Sequence, residues 1–370
     1  MPGLLLDHPT PDFDELVRVL KGEQPPRRVH LVEVGIDPEI LQAIQESCLD
    51  EPWALPHGVH VLEKPDERYY RQLVNLYYRL GYDFVPIWPF WVNNPAGRVR
   101  RAAGAAGESD QMRNWVDESG ALIKSRADYE SFPWEKIHAA PETFAMVARY
   151  LPDGMKMTVI STLFENIFEF LLGYEGLFYL LSDAPQLVED VFNRWGQIVL
   201  DFYSSVIELE AVGGIFHVDD MGFKTGTLIS PDDLRRLVFP WLMQYARLAH
   251  AHNKPFFLHS CGNLYKKSPS VMDDLINIVG IDAFHSFQDI ILPVSEAKAR
   301  IGKRVGLLGG ADMDKLSTLP EAELRLYLRN ILEACVPGGR YAFGSGNTIA
   351  NFVPLQNYAI LLNEARQWQI

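Results

Sequence analysis

GGIFHVDDMGFKTGTLISPDDLRRLVFPWLMQYARLAHAHNKPFFLHSCGN, residues 213–263, reads as a strand, a helix and a second strand. Residues 213–220 and 254–260 are short apolar runs of strand length, bounded by Gly, Pro and polar residues. Between them, Ser230 is placed to cap a helix, Pro231 takes its first position and Asp233 its third, close to a capping box. Pro240 predicts a kink in that helix. Two buried strands joined by a helix are the unit of a parallel sheet.

The unit recurs along the chain. Apolar, β-rich runs fall at residues 27–35, 82–88, 155–162, 213–220, 254–260, 281–287, 304–310 and 340–346, with helical periodicity between them. One intervening segment has Asp183 as an expected N-cap and a stripe of Leu187, Val191, Trp195, Ile198, Phe202 and Val206. Another runs to Cys335 and stops at Pro337-Gly338-Gly339. Eight strands alternating with helices, without a Gly-x-Gly-x-x-Gly turn after the first, predict an α/β fold of the (β/α)8 TIM-barrel type. Residues 1–370 are expected to form a single domain, with an N-terminal helical extension over 1–26. The longest irregular piece, residues 91–111, is expected on the barrel rim as a loop that could serve as a lid.

The 370 residues are 48% apolar and 22% charged, with a formal net charge of −14. That balance suits a soluble globular chain and argues against a nucleic-acid partner. The opening residues have no basic n-region, and no segment approaches the roughly 20 apolar residues of a membrane span. A cytoplasmic protein without membrane association is expected. Three scattered cysteines, Cys48, Cys261 and Cys335, do not make a disulfide framework. Cys48 and Cys335 extend apolar helical stripes and read as small buried hydrophobes. Cys261 alone sits at a strand end among polar residues.

In a barrel, chemistry collects where strands end. Those positions here are Glu33, Trp88, Ser161, Asp219 with Asp220, His259 with Cys261, His285, Asp312, and Ser345 with Asn347. His259 and Cys261, two apart, project together if the strand geometry persists to 261, making a two-ligand claw. Zinc wants three or four ligands, so Asp219, Asp220, Glu165 or His285 would have to complete it. Asp219 and Asp220 face opposite ways: Asp220 shares a row with Phe216 and Val218, Asp219 with His217, and the pattern leaves open which row is inner. Trp88, Phe90 and Trp91 either line a pocket for a flat or apolar substrate or pack the rim loop down. The run Arg98, Arg100 and Arg101 either meets substrate carboxylates or forms a solvated face.

The ordered set of residues 213–242, "KPFFLHSCGNL" (254–264), "GLLGGADMD" (306–314) and "YAFGSGNTIANFVPLQNYAIL" (341–361) resembles the uroporphyrinogen decarboxylase superfamily. The resemblance implies a (β/α)8 barrel and one of two chemistries. Uroporphyrinogen decarboxylase proper works without a cofactor on acetate carboxyls of a tetrapyrrole, but its Arg-Gln-Ala-Gly-Arg signature has no counterpart in "EVGIDPEI" (33–40). Its Ser-Asp-Ile acid is likewise absent from "VPIWPF" (85–90), and Gly344-Ser345-Gly346 stands where its Gly-His-Gly turn is expected. The other branch comprises zinc-dependent methyltransferases that exchange a methyl group between a corrinoid protein and a thiol or small substrate.

That branch's zinc-binding pair resembles His259 and Cys261, whereas its third thiolate is replaced here by Ser345 and Asn347. The methyltransferase reading implies zinc on His259 and Cys261 with Asp220 or Glu165 as third ligand or base, a corrinoid carried by a separate partner protein, and a homodimer. Asp220 and His259 are the catalytic candidates; Trp88, Asp219, His285, Ser345 and Asn347 are the candidates for contact with a small-molecule substrate. The alternatives are a decarboxylase acting on uroporphyrinogen or a smaller carboxylic acid, with Asp220 and His259 as acid and base, and a non-catalytic small-molecule-binding barrel.

Overall fold

The computed structural model describes residues 3–55, 64–93, 99–103, 112–116, 121–266 and 270–370, with backbone alone considered for 99–103 and 112–116. Its centre is a seven-stranded sheet: β1 (Phe84–Ile87), β2 (Lys156–Val159), β3 (Val212–Val218), β4 (Phe256–His259), β5 (Ala283–His285), β6 (Gly306–Leu308) and β7 (Tyr341–Ala342). Sheet order equals chain order, and every neighbouring pair is parallel. The first of the eight expected strands adds only parallel bridges beside β7, Leu31 to Phe343 and Ile36 to Ile349. Val32 N–H donates to the Phe343 carbonyl at 2.9 Å and Phe343 N–H to the His30 carbonyl at 2.8 Å.

Side-chain alternation turns this sheet into a TIM-barrel-like fold. Val32, Val34, Phe84, Ile160, Phe216, Phe257, Ala283, Leu308 and Ala342, drawn from all eight segments, pack into one inner cluster. Their neighbours Val85, Met157, Ile215, Leu258, Phe284, Leu307 and Tyr341 face the opposite way, into the core shared with the helices. Such period-2 alternation in buried strands fills a barrel and coats it at once. Phe13, Leu16 and Leu20 of the helix Phe13–Lys21 belong to the inner cluster, so this N-terminal helix packs against the barrel interior. Its ends are set by Asp12, which accepts from Glu15 N–H, and by Gly22 in the left-handed region.

One local expectation is corrected and a second is refined. The long helix runs Pro185–Val206 with Ala184 at its cap, while Asp183 ends the preceding helix Tyr174–Asp183. Proline at the first helical position, its missing N–H costing nothing there, sets that start. After β3, Ser230 caps the chain as expected by accepting from Asp233 N–H. At Pro240, where a kink is expected, the helix Phe239–Ala251 begins directly after a π-helical turn, Leu234–Val238. The same π-helical turn occurs at Ile167–Leu171 and Leu275–Val279, where there is no proline, so it is a repeated feature of these helices.

Cys335 is fully buried as its stripe suggests, whereas Cys48 is only partly so. The segment 91–111 includes two strands: Trp91–Val92, paired with His138–Ala139, and Val99–Ala103, paired antiparallel with Met112–Val116. Residues 94–98 and 104–111, and the side chains of Arg98, Arg100 and Arg101, lie outside the described residues. No helix among the described residues is long and apolar enough to cross a membrane.

Candidate active site

Three neighbouring strands end in the residues that matter. Phe216 and Val218 face the barrel interior, which puts Asp220 in the inner row and sends His217 and Asp219 outward. Asp219 lies wholly buried on that outer side, bonded to His217 Nε2 at 2.8 Å and accepting from the Leu163 and Glu165 N–H groups at 2.9 and 3.1 Å. Its carboxylate braces the turn after β2. Asp220 keeps 36% of its side chain exposed at the mouth.

On β4 the inner row runs Phe257, His259, Cys261. Cys261 N–H donates to Asp220 Oδ1 at 2.8 Å, tying the two strand ends together. The chain can turn away at once because Gly262 has φ +101°, and a Cβ there would lie 2.2 Å from the Gly222 carbonyl carbon. Only glycine tolerates both the dihedral and that approach. Asp220, His259 and Cys261 thereby offer one carboxylate oxygen, one imidazole nitrogen and one sulfur, all within 4.8 Å of one another. His259 Nε2 stands 3.6 Å from Cys261 Sγ and 3.4 Å from an Asp220 oxygen.

A hydrogen-bond chain behind His259 decides which of its nitrogens faces the mouth. His285, opposite it on β5, is fully buried, and its Nε2 lies 3.1 Å from the Ser345 carbonyl. A carbonyl only accepts, so His285 Nε2 carries the proton. Burial first, then the neighbouring His259, lowers the His285 pKa to about 3, so the ring is neutral and its Nδ1 is an acceptor. His259 Nδ1, 2.6 Å away, must donate to it. With Nδ1 committed to His285, Nε2 is the nitrogen that faces Asp220 and Cys261, the arrangement in which an outer partner fixes a ligating imidazole.

The charge states around the group are pushed apart. Burial favours the neutral form of Asp220, but its hydrogen bond to His259 and that residue's charge outweigh it and hold the carboxyl below its ordinary range. Burial raises the Cys261 thiol well above its usual value, and the Asp220 charge adds to this. Glu165 is likewise raised well above the carboxylate range, by burial and then by the charges of Asp220, Glu169 and Asp219. An ionised Asp220 near a protonated Glu165 is the pattern of a divided acid–base pair.

The remaining expected residues fall around this group. Asn347 Nδ2 donates to Cys261 Sγ at 3.2 Å, and Ser286 Oγ lies 3.6 Å from the same sulfur. Ser345 is buried; its N–H donates to Glu33 Oε1 at 2.9 Å and its hydroxyl is hydrogen-bonded to Glu33 Oε2. Glu33 is fully buried, and burial raises its pKa to about 8 despite the Ser345 bonds. Trp88 stands 49% exposed just past β1. Glu165 is outside the three-residue group, and Asp220 supplies the carboxylate oxygen. Sequence reasoning did not single out Ser286, although its place directly after His285 at a strand end was a usable signal.

Two edges of the donor set have the lengths that zinc would impose. Bonds of about 2.3 Å to sulfur and about 2.0–2.1 Å to nitrogen or oxygen, at tetrahedral angles, make N···S edges of about 3.5 Å and N···O edges of about 3.4 Å. The 3.6 Å and 3.4 Å separations match these edges, and the third, from the Asp220 oxygen to the Cys261 sulfur, is within 4.8 Å.

A model of the family described as uroporphyrinogen decarboxylase (URO-D) matches residues 131–368. A methyltransferase from Methanosarcina mazei superposes with a TM-score of 0.65 at 16% identity, over 96% of this chain and 98% of that one. A B12-independent methionine synthase from Shewanella sp. W3-18-1 gives a TM-score of 0.40 at 11% identity, over 61% of this chain and 65% of that one. A sugar phosphate isomerase/epimerase from Parabacteroides distasonis gives 0.41 at 10% identity, over 92% and 96%. Comparison with curated proteins finds no match.

Proposed function

The chain belongs to the uroporphyrinogen decarboxylase family, and from that premise we propose that it is a methyltransferase-like enzyme that moves a methyl group between a small substrate and a corrinoid carried by a separate protein. The observation that carries this reading is the Asp220–His259–Cys261 group with ligand atoms at zinc-like separations. A zinc ion held there would act as a Lewis acid, lowering the pKa of a thiol or hydroxyl in its open position.

The chain's own residues supply the rest. His285 and the Ser345 carbonyl hold the His259 ring so that Nε2 faces the mouth. Asp220 aligns Cys261 by accepting its backbone N–H, and so fixes the spacing of two donors on different strands. Glu165, neutral beside the ionised Asp220, can give a proton to a group departing at the mouth or take one back. The carboxyls of Asp219, Asp220, Glu165 and Glu169 interact electrostatically within one region, which disfavours a substrate bearing many carboxylates, as uroporphyrinogen does. The methyltransferase reading is therefore preferred to tetrapyrrole decarboxylation.

Zinc-loaded protein mixed with methylcobalamin and a panel of thiols and hydroxyl compounds tests the reading. Methyl transfer to one class, lost by more than about 100-fold in Asp220→Asn, is expected. Decarboxylation of uroporphyrinogen by metal-free protein, with no methyl transfer, would overturn it.

A further inference from the structure

Cys261 Sγ is approached by more than the imidazole and the carboxylate. Asn347 Nδ2 lies 3.2 Å from the sulfur and Ser286 Oγ 3.6 Å from it, one arriving from the loop after β7 and the other from the end of β5. Which end of the Asn347 amide faces the sulfur is fixed by its other end: Thr348 N–H, which can only donate, is 2.8 Å from Asn347 Oδ1. The amide therefore presents its NH2 to Cys261, and an amide nitrogen is not a zinc donor.

The loop that carries Asn347 is held on three sides. Ser345 N–H and hydroxyl are bound by the buried Glu33, and Ser345 Oγ lies 2.7 Å from the Asn347 carbonyl. Gly346 passes so close to Phe287 that a Cβ would lie 2.2 Å from its carbonyl oxygen, and Gly346 N–H donates to the Ala311 carbonyl at 2.6 Å. Asn347 is thus anchored through the strand ends beside it.

We infer that Asn347, assisted by Ser286, is a positioning residue that clamps the Cys261 sulfur as a hydrogen-bonded ligand and keeps it from acting as a nucleophile. The inference rests on the metal-centre reading proposed above and adds which atoms govern its sulfur. Hydrogen bonds to a coordinated thiolate draw charge from it, so it donates less to a bound ion and attacks electrophiles more slowly. The open metal position, rather than the sulfur, is then left for the reacting group. The loop that brings Asn347 to the sulfur takes the orientation of that donor from Glu33 and Thr348.

Cobalt(II) is the probe, because its sulfur-to-metal charge-transfer band reports the electron density on the one thiolate. In Asn347→Leu and, independently, in Ser286→Ala, the band is expected to move to longer wavelength. Alkylation of Cys261 by iodoacetamide in the zinc-loaded protein should accelerate several-fold, more for Asn347→Leu than for Ser286→Ala. Wild-type protein that takes up cobalt and shows the band, with both variants unchanged in band position and alkylation rate, overturns the inference alone. Wild-type protein that shows no cobalt–sulfur band overturns the metal-centre reading and this inference with it. Should Asn347→Leu not fold, Ser286→Ala decides the outcome by itself.

Discussion

The Ser345 carbonyl, 3.1 Å from His285, sets the direction of a hydrogen-bond chain that ends on His259 Nδ1 and turns its Nε2 to the mouth. Removing the middle of that chain should free the ring without removing a ligand. His285→Asn is expected to lower zinc affinity by about 10–100-fold, read by competition with a chelator, while the folded state persists. Because burial holds the Cys261 thiol protonated, uptake of the metal must expel that proton, and zinc affinity is expected to fall as pH is lowered. A pH-independent affinity between pH 6 and 9 would contradict a thiolate ligand. At this scale the sequence carried the His-x-Cys claw, since residues two apart on a strand share a face. It could not say whether Asp219 or Asp220 was inner, because alternation has no absolute sign until one row is known to be core. Nor could it show that Asn347 and Ser286 meet at one sulfur, since three separate strand ends bring Cys261, Ser286 and Asn347 together.

Strand ends and turns convert these side chains into a site, and their tolerances are narrow. Gly262 turns the chain directly after Cys261 with φ +101° and the Gly222 backbone against it. Gly262→Ala should destabilise the fold by more than about 1 kcal/mol, since alanine is strained at positive φ, and should displace Cys261 enough to abolish zinc binding. Thermal unfolding with and without zinc checks both effects.

The link between the segment 30–36 and β7 runs through Glu33 and Ser345. Glu33 has an ordinary pKa of 4.5, raised to about 8 in the fold by burial. Below pH 4.5 both folded and unfolded chains hold the proton; between pH 4.5 and 8 the unfolded chain loses it first. Its contribution is therefore present at low pH and lost as pH rises through 8, on the order of a few kcal/mol. Glu33→Gln is expected to gain stability relative to wild type between pH 5 and 9, and a constant difference in melting temperature would show that Glu33 is ionised when folded. Among the elements, seven runs read from the sequence are ladder strands, while the first makes only bridges. Periodicity finds apolar runs, but the extent of a ladder depends on a neighbour elsewhere in the chain.

Across the whole molecule, the barrel was legible because its requirement is local and repeated. Each strand needs an inner and an outer apolar row, and Phe84, Phe216, Phe257 and Leu308 on one side with Val85, Ile215, Leu258 and Leu307 on the other meet it. The packing of Phe13, Leu16 and Leu20 into the barrel interior was less legible, because an amphipathic helix shows that it has an apolar face and not what that face covers. What the assembled barrel adds is convergence: Asp220, His259 and Cys261 come from two strand ends, held by residues of two more. Zinc content is the most direct test of that convergence. Protein purified without chelators should contain about one zinc per chain by elemental analysis, falling to near zero in both Cys261→Ala and Asp220→Ala. Wild-type protein that holds no zinc even after incubation with it, or variants that retain it in full, would contradict the account.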